Sequence, residues 1–180
     1  EGHGPAVSSY HRSLTELAEG VDPGEDLSIG RMKVRTTLTH HSDPTGIGFI
    51  FKTSNGKISY MSDSEFDEKV VKEHRGSRIV ILALTRPLHS RVPNHICTDD
   101  AAEIAKILRP ELILLSHFGA KLIYDGTDKQ ARYVEEQSGI RTVAAEDLMT
   151  VNVGKSIRIG RKDQVGNVDE IAGPPVNNID

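Results

Sequence analysis

Residues 39–49 read T-H-H-S-D-P-T-G-I-G-F, with two histidines at the point where one predicted strand ends and another begins. The preceding residues, 31–40, alternate apolar and polar side chains with a period of two, which predicts a half-buried strand. The chain then turns at Pro44 and continues as a second apolar run. A strand needs no imidazole at its end, so His40 and His41 either cap a turn or bind a ligand.

The overall composition is that of a globular chain with a single hydrophobic core. Of its 180 residues, 37% are hydrophobic and 27% charged, and no apolar run approaches the roughly 18 residues of a membrane span. The net charge of −4 disfavours general attraction to nucleic acid, although it is compatible with a local basic groove. A single cysteine, Cys97, and the lack of a secretory-signal pattern predict a cytoplasmic protein.

The N-terminal half is predicted to be rich in strands. Its leading segment is predicted to hold one short helix, Ser13–Glu19. The runs Gly46–Thr53 and Lys57–Ser62 flank Asn55-Gly56, a strong hairpin signal, so they are predicted to pair antiparallel. Ser64 is predicted to cap the helix that follows.

The C-terminal half is predicted to alternate strands with helices, which indicates an α/β fold class with helices and sheet in layers. Its strands consist almost wholly of apolar residues, as is typical of strands buried on both faces. The predicted elements are strands Arg78–Leu84 and Leu112–Ser116, a helix capped by Thr98 and stopped by Pro110, and a helix over Asp128–Ser138 closed by Gly139.

The end of the chain is predicted to change character near residue 160. Residues 141–160 are predicted to form two or three short strands, whereas residues 161–180 lack periodicity. We therefore predict a domain over residues 1–160 and a mobile tail over residues 161–180.

Three predicted strands end in residues that suit a metal ion: His41, Asp63 and His117. Functional residues collect at strand ends in layered α/β proteins, because the sheet fixes the positions of variable loops. Neutral imidazole and carboxylate are ligands for zinc or iron, and a carboxylate can bridge two metals. Taken singly, each residue is better explained as a structural histidine or a helix cap; together they favour a metal site.

Other residues have two interpretations or a structural one. His95 precedes a predicted helix start, where it either donates a proton to a leaving group or packs against the turn formed by residues 91–93. Cys97 is most simply a small buried hydrophobe. The remaining histidines are predicted to lie at the surface: His3, His11, His74 and His89.

The order of four motifs resembles that of metallo-β-lactamase-fold hydrolases, in particular an archaeal-type uncharacterised branch and, more loosely, tRNase Z. The resemblance covers about residues 1–153. The motifs are H-S-D-P-T-G-I-G-F, I-S-Y-M-S-D, N-H-I-C-T-D-D-A-A-E-I and L-I-L-L-S-H-F-G, each in the family's order.

The resemblance implies a role for each site residue. His41 and His117 would each ligate one of two divalent metals, most simply zinc, with iron or manganese as alternatives. Asp63 would bridge the two metals, His40 would be a neighbour, and His95 would transfer a proton to the leaving group. The substrate would be a small molecule or a phosphoester, attacked by a metal-bridging hydroxide; RNA enters as a substrate by analogy only.

This sequence lacks the family's upstream His-x-His-x-Asp-His motif and begins at Glu1. The simplest expectation is therefore the C-terminal half of the family's αββα sandwich. One hypothesis is a dinuclear metal-dependent hydrolase; the alternative is a non-catalytic partner or structural half-domain. A di-iron oxidoreductase on the same fold is disfavoured, because those members carry a flavin domain. The sequence is compatible with a homo-oligomer, and no membrane partner is predicted.

Overall fold

The computed structural model describes residues 8–161 and 168–171, and their mixed secondary structure confirms the α/β class. The strands are β1 (Asp26–Ile29), β2 (Met32–Leu38), β3 (Ile47–Thr53), β4 (Gly56–Met61), β5 (Ser77–Ala83), β6 (Leu112–Ser116), β7 (Thr142–Ala144), β8 (Thr150–Val153), β9 (Ile157–Gly160) and β10 (Val168–Ile171). The helices are α1 (Ser9–Ser13), α2 (Glu68–Glu73), α3 (Thr98–Leu108), α4 (Ala120–Asp125) and α5 (Thr127–Ser138).

Strands β1 to β7 form one sheet in sequence order. The first four pair antiparallel, since short turns join them, and β4 to β7 pair parallel, since helices cross between them. β2 and β4 both run antiparallel to β3, so they run parallel to each other. The C-terminal ends of β2, β4, β5 and β6 therefore lie at one edge of the sheet.

One face of this sheet carries the helices. Met61, Leu82 and Leu115 point to this side and pack with residues of α3 such as Ile104, all of them buried. Each such aliphatic side chain stabilises the fold by about 1.5–3 kcal/mol on burial. This packing holds the parallel strands rigidly enough to fix the positions of the loops at their ends.

The opposite face is covered by a second sheet of strands β8, β9 and β10. Ile157 and Ile159 of β9 join Ile79 and Leu112 of the large sheet in a separate apolar cluster. The part of this face formed by β3 and β4 stays half-buried, with the aromatic residues Phe49, Phe51 and Tyr60 exposed in part.

Most predicted elements are confirmed, and the differences concern helix starts and two short elements that were not predicted. The hairpin of β3 and β4, the buried strands β5 and β6, and helices α3 and α5 all form. The predicted helix Ser13–Glu19 is wrong, because the helix there is Ser9–Ser13 with Ser8 as its cap. α2 is capped by Asp67 and α3 by Cys97, so neither Ser64 nor Thr98 is a cap. The sequence reading also missed β1 and α4.

Part of the predicted tail is structured. Val168–Ile171 forms β10, which pairs antiparallel with β9 in register from Val168 and Gly160. Residues 162–167 and 172–180 lie outside the described residues. None of the described helices is both long and apolar enough to cross a membrane.

Candidate metal centre

The four strand ends at one edge of the large sheet each deliver a polar side chain. β2 is followed by His41, β4 by Asp63, β5 by Thr85 and β6 by His117. His95 comes from the loop between β5 and α3, whose two ends meet through a bridge between residues 86 and 97. The parallel arrangement thus brings residues from distant parts of the chain to one edge.

The imidazoles meet at a single oxygen of Asp63. Its Oδ2 lies 3.1 Å from Nε2 of His117, 3.5 Å from Nε2 of His95 and 3.7 Å from Nε2 of His41. The rings of His41 and His95 meet edge to face, with centroids 5.5 Å apart. One carboxylate oxygen surrounded by three imidazole nitrogens is a donor set that suits zinc, iron or manganese.

The other oxygen of Asp63, Oδ1, is held by a hydrogen bond. The Thr85 hydroxyl donates to Oδ1 at 3.2 Å, which fixes the carboxylate so that Oδ2 faces the imidazoles. Hydrogen bonds to the carboxylates and histidines around a metal orient these ligands in known metal sites. The sequence reading missed Thr85, although it follows a buried strand directly, as the predicted ligands do.

The hydrogen bonds of His95 and His41 leave their Nε2 atoms in different states. Nδ1 of His95 donates to the Pro93 carbonyl at 3.0 Å, which leaves Nε2 of the neutral ring free to accept a metal or a proton. Nδ1 of His41 instead accepts from the Asp43 backbone N–H at 3.2 Å, so Nε2 of its neutral ring carries the hydrogen. Ligation through that nitrogen would require the neutral ring to exchange its tautomer, with the hydrogen on Nδ1.

The compact part of the cluster is His41, Asp63 and His95, whose ligand atoms lie within 4.8 Å of one another. His117 contacts Asp63 from a more open position, with 55% of its side chain exposed. Its backbone adopts the left-handed conformation, with φ of 57°. Strained residues of this kind persist where the surrounding structure holds them, often at functional sites.

The loop after β6 approaches the loop after β5 closely at Gly119. A Cβ atom there would lie 2.4 Å from the Thr85 carbonyl oxygen, nearer than real contacts allow. Glycine therefore permits the two loops that carry His117 and Thr85 to pack together beside Asp63.

The residues outside the cluster behave differently from one another. His40 turns towards Asp67, with Nδ1 3.5 Å from Oδ2, and does not face Asp63. His11 and His89 are exposed as predicted, while His3 lies outside the described residues. Cys97 is buried, and burial raises the pKa of its thiol to about 11, so it is the small buried residue that the sequence suggested.

The prediction that His74 lies at the surface is wrong. Its side chain is fully buried at the end of α2, and neither ring nitrogen has a hydrogen-bond partner among the described residues. Burial lowers the pKa of His74 to about 4. The sequence placed His74 at the end of an exposed helix, but the turn to β5 directs its side chain inward.

Residues 2–118 match the beta-lactamase superfamily domain. The chain belongs to this superfamily. The resemblance in the order of the four motifs is therefore confirmed, and the family is one of metal-dependent hydrolases whose fold implies divalent metal binding. In this beta-lactamase superfamily chain, the His and Asp cluster at the sheet edge is the group of described residues that could hold such an ion.

The chain also resembles one curated archaeal protein. An uncharacterized protein of Methanocaldococcus jannaschii is 33% identical over 141 residues, covering 77% of this chain and 52% of that protein. The chain thus spans about half the length of the curated relative that it matches.

Solved structures agree on the fold. The metallo-β-lactamase-fold protein YhfI of Bacillus subtilis superposes with a TM-score of 0.62 at 16% identity, over 70% of this chain and 52% of that one. A metallo hydrolase of Ignicoccus hospitalis superposes with a TM-score of 0.57 at 16% identity, over 71% and 57% of the two chains. The predicted metallo-β-lactamase architecture is confirmed at the level of fold.

Proposed function

We propose that this chain forms part of a dinuclear metal-dependent hydrolase that cleaves phosphoesters or similar esters. The observation that carries the proposal is the convergence of three imidazole nitrogens, each within 3.7 Å, on Oδ2 of Asp63. Hydrogen-bonded structural histidines would not need to share one carboxylate oxygen at the edge where four strands end. Membership of the superfamily supports the same conclusion.

The chemistry of the donor set fits two divalent ions, with zinc, iron or manganese as candidates. His41 would hold one ion, His117 the second, and Asp63 would bridge them, as the family resemblance implies. When bound, such a pair of ions supplies an activated water and stabilises negative charge on the attacked centre. That combination suits in-line displacement at phosphorus, which supports the phosphoester class.

The chain's own residues would orient the Asp63 carboxylate and move a proton. Thr85 keeps the Asp63 carboxylate in one rotamer through its bond to Oδ1. His95 is anchored through Nδ1 to Pro93, so its Nε2 is the atom that can hold a proton beside the reacting centre. From there it would protonate the departing oxygen, which is the usual role of a general acid.

A metal analysis of Asp63→Ala tests the proposal. The full protein is expected to bind about two equivalents of zinc, iron or manganese, and Asp63→Ala to lose both the second ion and hydrolysis of a chromogenic phosphodiester. Asp128→Ala, which removes an exposed carboxylate on α5, serves as the matched control and should retain both. Absence of metal from a protein that carries the upstream motif would contradict the enzyme reading.

One observation favours a second candidate. The 180 residues contain no His-x-His-x-Asp-His motif, so the chain by itself offers too few ligands for two ions. A non-catalytic partner or structural half-domain would account for this. Such a protein should bind no metal under any loading conditions, whereas the hydrolase should bind it once the remaining ligands are supplied.

A further inference from the structure

The two residues that follow Asp63 connect the loops of the candidate metal centre. Ser64 is 1% exposed, and its hydroxyl accepts the backbone N–H of His40 at 2.8 Å. The same hydroxyl donates to the Glu65 carbonyl at 2.9 Å. Ser64 thereby ties the loop that carries His41 to the loop that carries Asp63.

Glu65 makes two further connections. Its backbone N–H donates to the His40 carbonyl at 2.8 Å. Its carboxylate oxygen Oε2 accepts the backbone N–H of Asn94 at 2.8 Å, and the side chain is half-buried. Asn94 has a left-handed backbone, with φ of 66°, and directly precedes His95. Glu65 therefore holds the strained turn that presents the His95 ring.

These contacts do not serve the helix that follows. α2 begins at Glu68, and its cap is Asp67, whose side chain accepts the Lys69 N–H at 2.7 Å. Ser64 and Glu65 thus lie outside the helix and its cap. Three loops that are far apart in sequence, around residues 40, 63 and 94, meet at this pair.

We propose that Ser64 and Glu65 form a hydrogen-bonded clasp that positions His41, Asp63 and His95 relative to one another. The inference rests on the proposed function in that it gives these three residues a shared role. Ser64 and Glu65 are positioning residues, because they act through the loops and not on the substrate. What matters at Glu65 is a hydrogen-bond acceptor for the Asn94 N–H, so glutamine should replace it and alanine should not.

Backbone amide hydrogen exchange in the metal-free full protein tests the clasp independently of any activity. The Asn94 amide should be protected in the wild type and in Glu65→Gln, and should exchange faster in Glu65→Ala. The His40 amide should likewise exchange faster in Ser64→Ala. Glu135→Ala is the matched control, because Glu135 is also half-buried and accepts a backbone N–H, that of Thr142, away from the site.

Metal affinity then measures the consequence for the site. Competition with a chromophoric chelator for zinc should show affinity reduced about 10–100-fold in Ser64→Ala, because the bond of Ser64 joins the loops of His41 and Asp63. Glu65→Ala loosens the turn of His95, so it should slow phosphodiester hydrolysis and leave zinc affinity near that of the wild type. Glu65→Gln should stay within about threefold of the wild type, and Glu135→Ala should match the wild type even if its melting temperature falls.

Two results would overturn the clasp. One is an Asn94 amide that exchanges equally fast in the wild type and in Glu65→Ala; the other is a zinc affinity of Ser64→Ala equal to that of Glu135→Ala. A wild-type protein that binds no zinc would instead overturn the proposed hydrolase, while the exchange measurement would still decide whether the clasp exists.

Discussion

At the scale of single residues, the site depends on which atom of each side chain is already engaged. Oδ1 of Asp63 accepts a hydrogen bond from Thr85, and Oδ2 faces the imidazoles. Nδ1 of His95 donates to the Pro93 carbonyl, which leaves Nε2 available to a metal or a proton. These engagements convert flexible side chains into a fixed donor set, and they lead to a prediction about His95.

His95→Ala should spare the metal content and slow turnover by roughly 10²–10⁴-fold, because the variant loses a proton donor while His41, Asp63 and His117 remain. Metal analysis and steady-state hydrolysis of a phosphodiester measure the two effects in parallel. Nε2 of His95 lies as near to Asp63 as that of His41, so His95 is also placed to act as a metal ligand. Release of metal from the variant would identify it as one.

The buried His74 should make the fold sensitive to acid. Its pKa is lowered from 6.5 to about 4 in the folded protein, so the unfolded chain binds the extra proton between these values. Stability is complete above about pH 6.5 and falls as the pH drops towards 4, by on the order of 3 kcal/mol.

Urea denaturation at pH 7.5 and pH 5 measures this loss. His74→Leu should reduce it at little cost at pH 7.5, since the ring nitrogens have no partner among the described residues to lose. His11→Gln is the control, because His11 is exposed on α1, a helix that buries no residue, and should leave the pH dependence unchanged. An equal pH dependence in wild type and His74→Leu would show that other groups cause it.

At the scale of elements, the site exists because parallel strands end together. β2, β4, β5 and β6 deliver their C-terminal loops to one edge, and the loops are close enough to bond to one another. Glycine at position 119 makes the closest of these approaches possible. The packing between loops is therefore a requirement of the site as much as the ligands are.

Gly119→Ala should push the loop of His117 away from Thr85, because the new methyl group would lie 2.4 Å from a backbone oxygen. We expect a loss of about 1–3 kcal/mol in unfolding free energy, as for other overpacked sites, together with weaker zinc binding. Chemical denaturation and chelator competition measure the two. Gly20→Ala is the control, since a Cβ there meets nothing within 4 Å, and unchanged zinc binding in Gly119→Ala would argue against a positional role for the contact.

At the scale of the whole molecule, one face of the large sheet carries helices, and among the described residues the other carries a small second sheet. The half-exposed Phe49, Phe51 and Tyr60 lie on that second face. The candidate metal centre opens at the edge between the two faces. In the proposed two-ion function, the described residues would fill neither coordination shell on their own.

The 180 residues alone are therefore expected to bind zinc weakly, because His41, Asp63 and His117 divided over two ions leave each ion short of ligands. The affinity should fall short of that of a polypeptide carrying the upstream motif by more than about 10²-fold, given that losing even an outer-shell partner costs 10–100-fold. Chelator competition measures it. Tight binding of two ions by these residues alone would show that His95 and other described groups complete the site.

The sequence determined the elements whose signals are local. The Asn55-Gly56 turn predicts the hairpin because Gly56 takes a positive φ, 106°, that suits few other residues. The apolar runs of β5 and β6 predict burial because only a core accepts them. The order of the four motifs also indicated the superfamily and the residues of the candidate site. Position along the chain sufficed for these features, since each depends on a few neighbouring residues.

Tertiary structure alone decided the features that depend on contacts between distant loops. Ser64 looks like a helix cap in sequence but bonds to His40, and His74 looks exposed but is buried, because packing outweighs the weak preferences of single residues. The meeting of His95 with Asp63, 32 positions apart in the chain, follows from the parallel strands and the strained turn at Asn94. No local pattern encodes such a distance, because it is set by how the whole sheet and its loops pack.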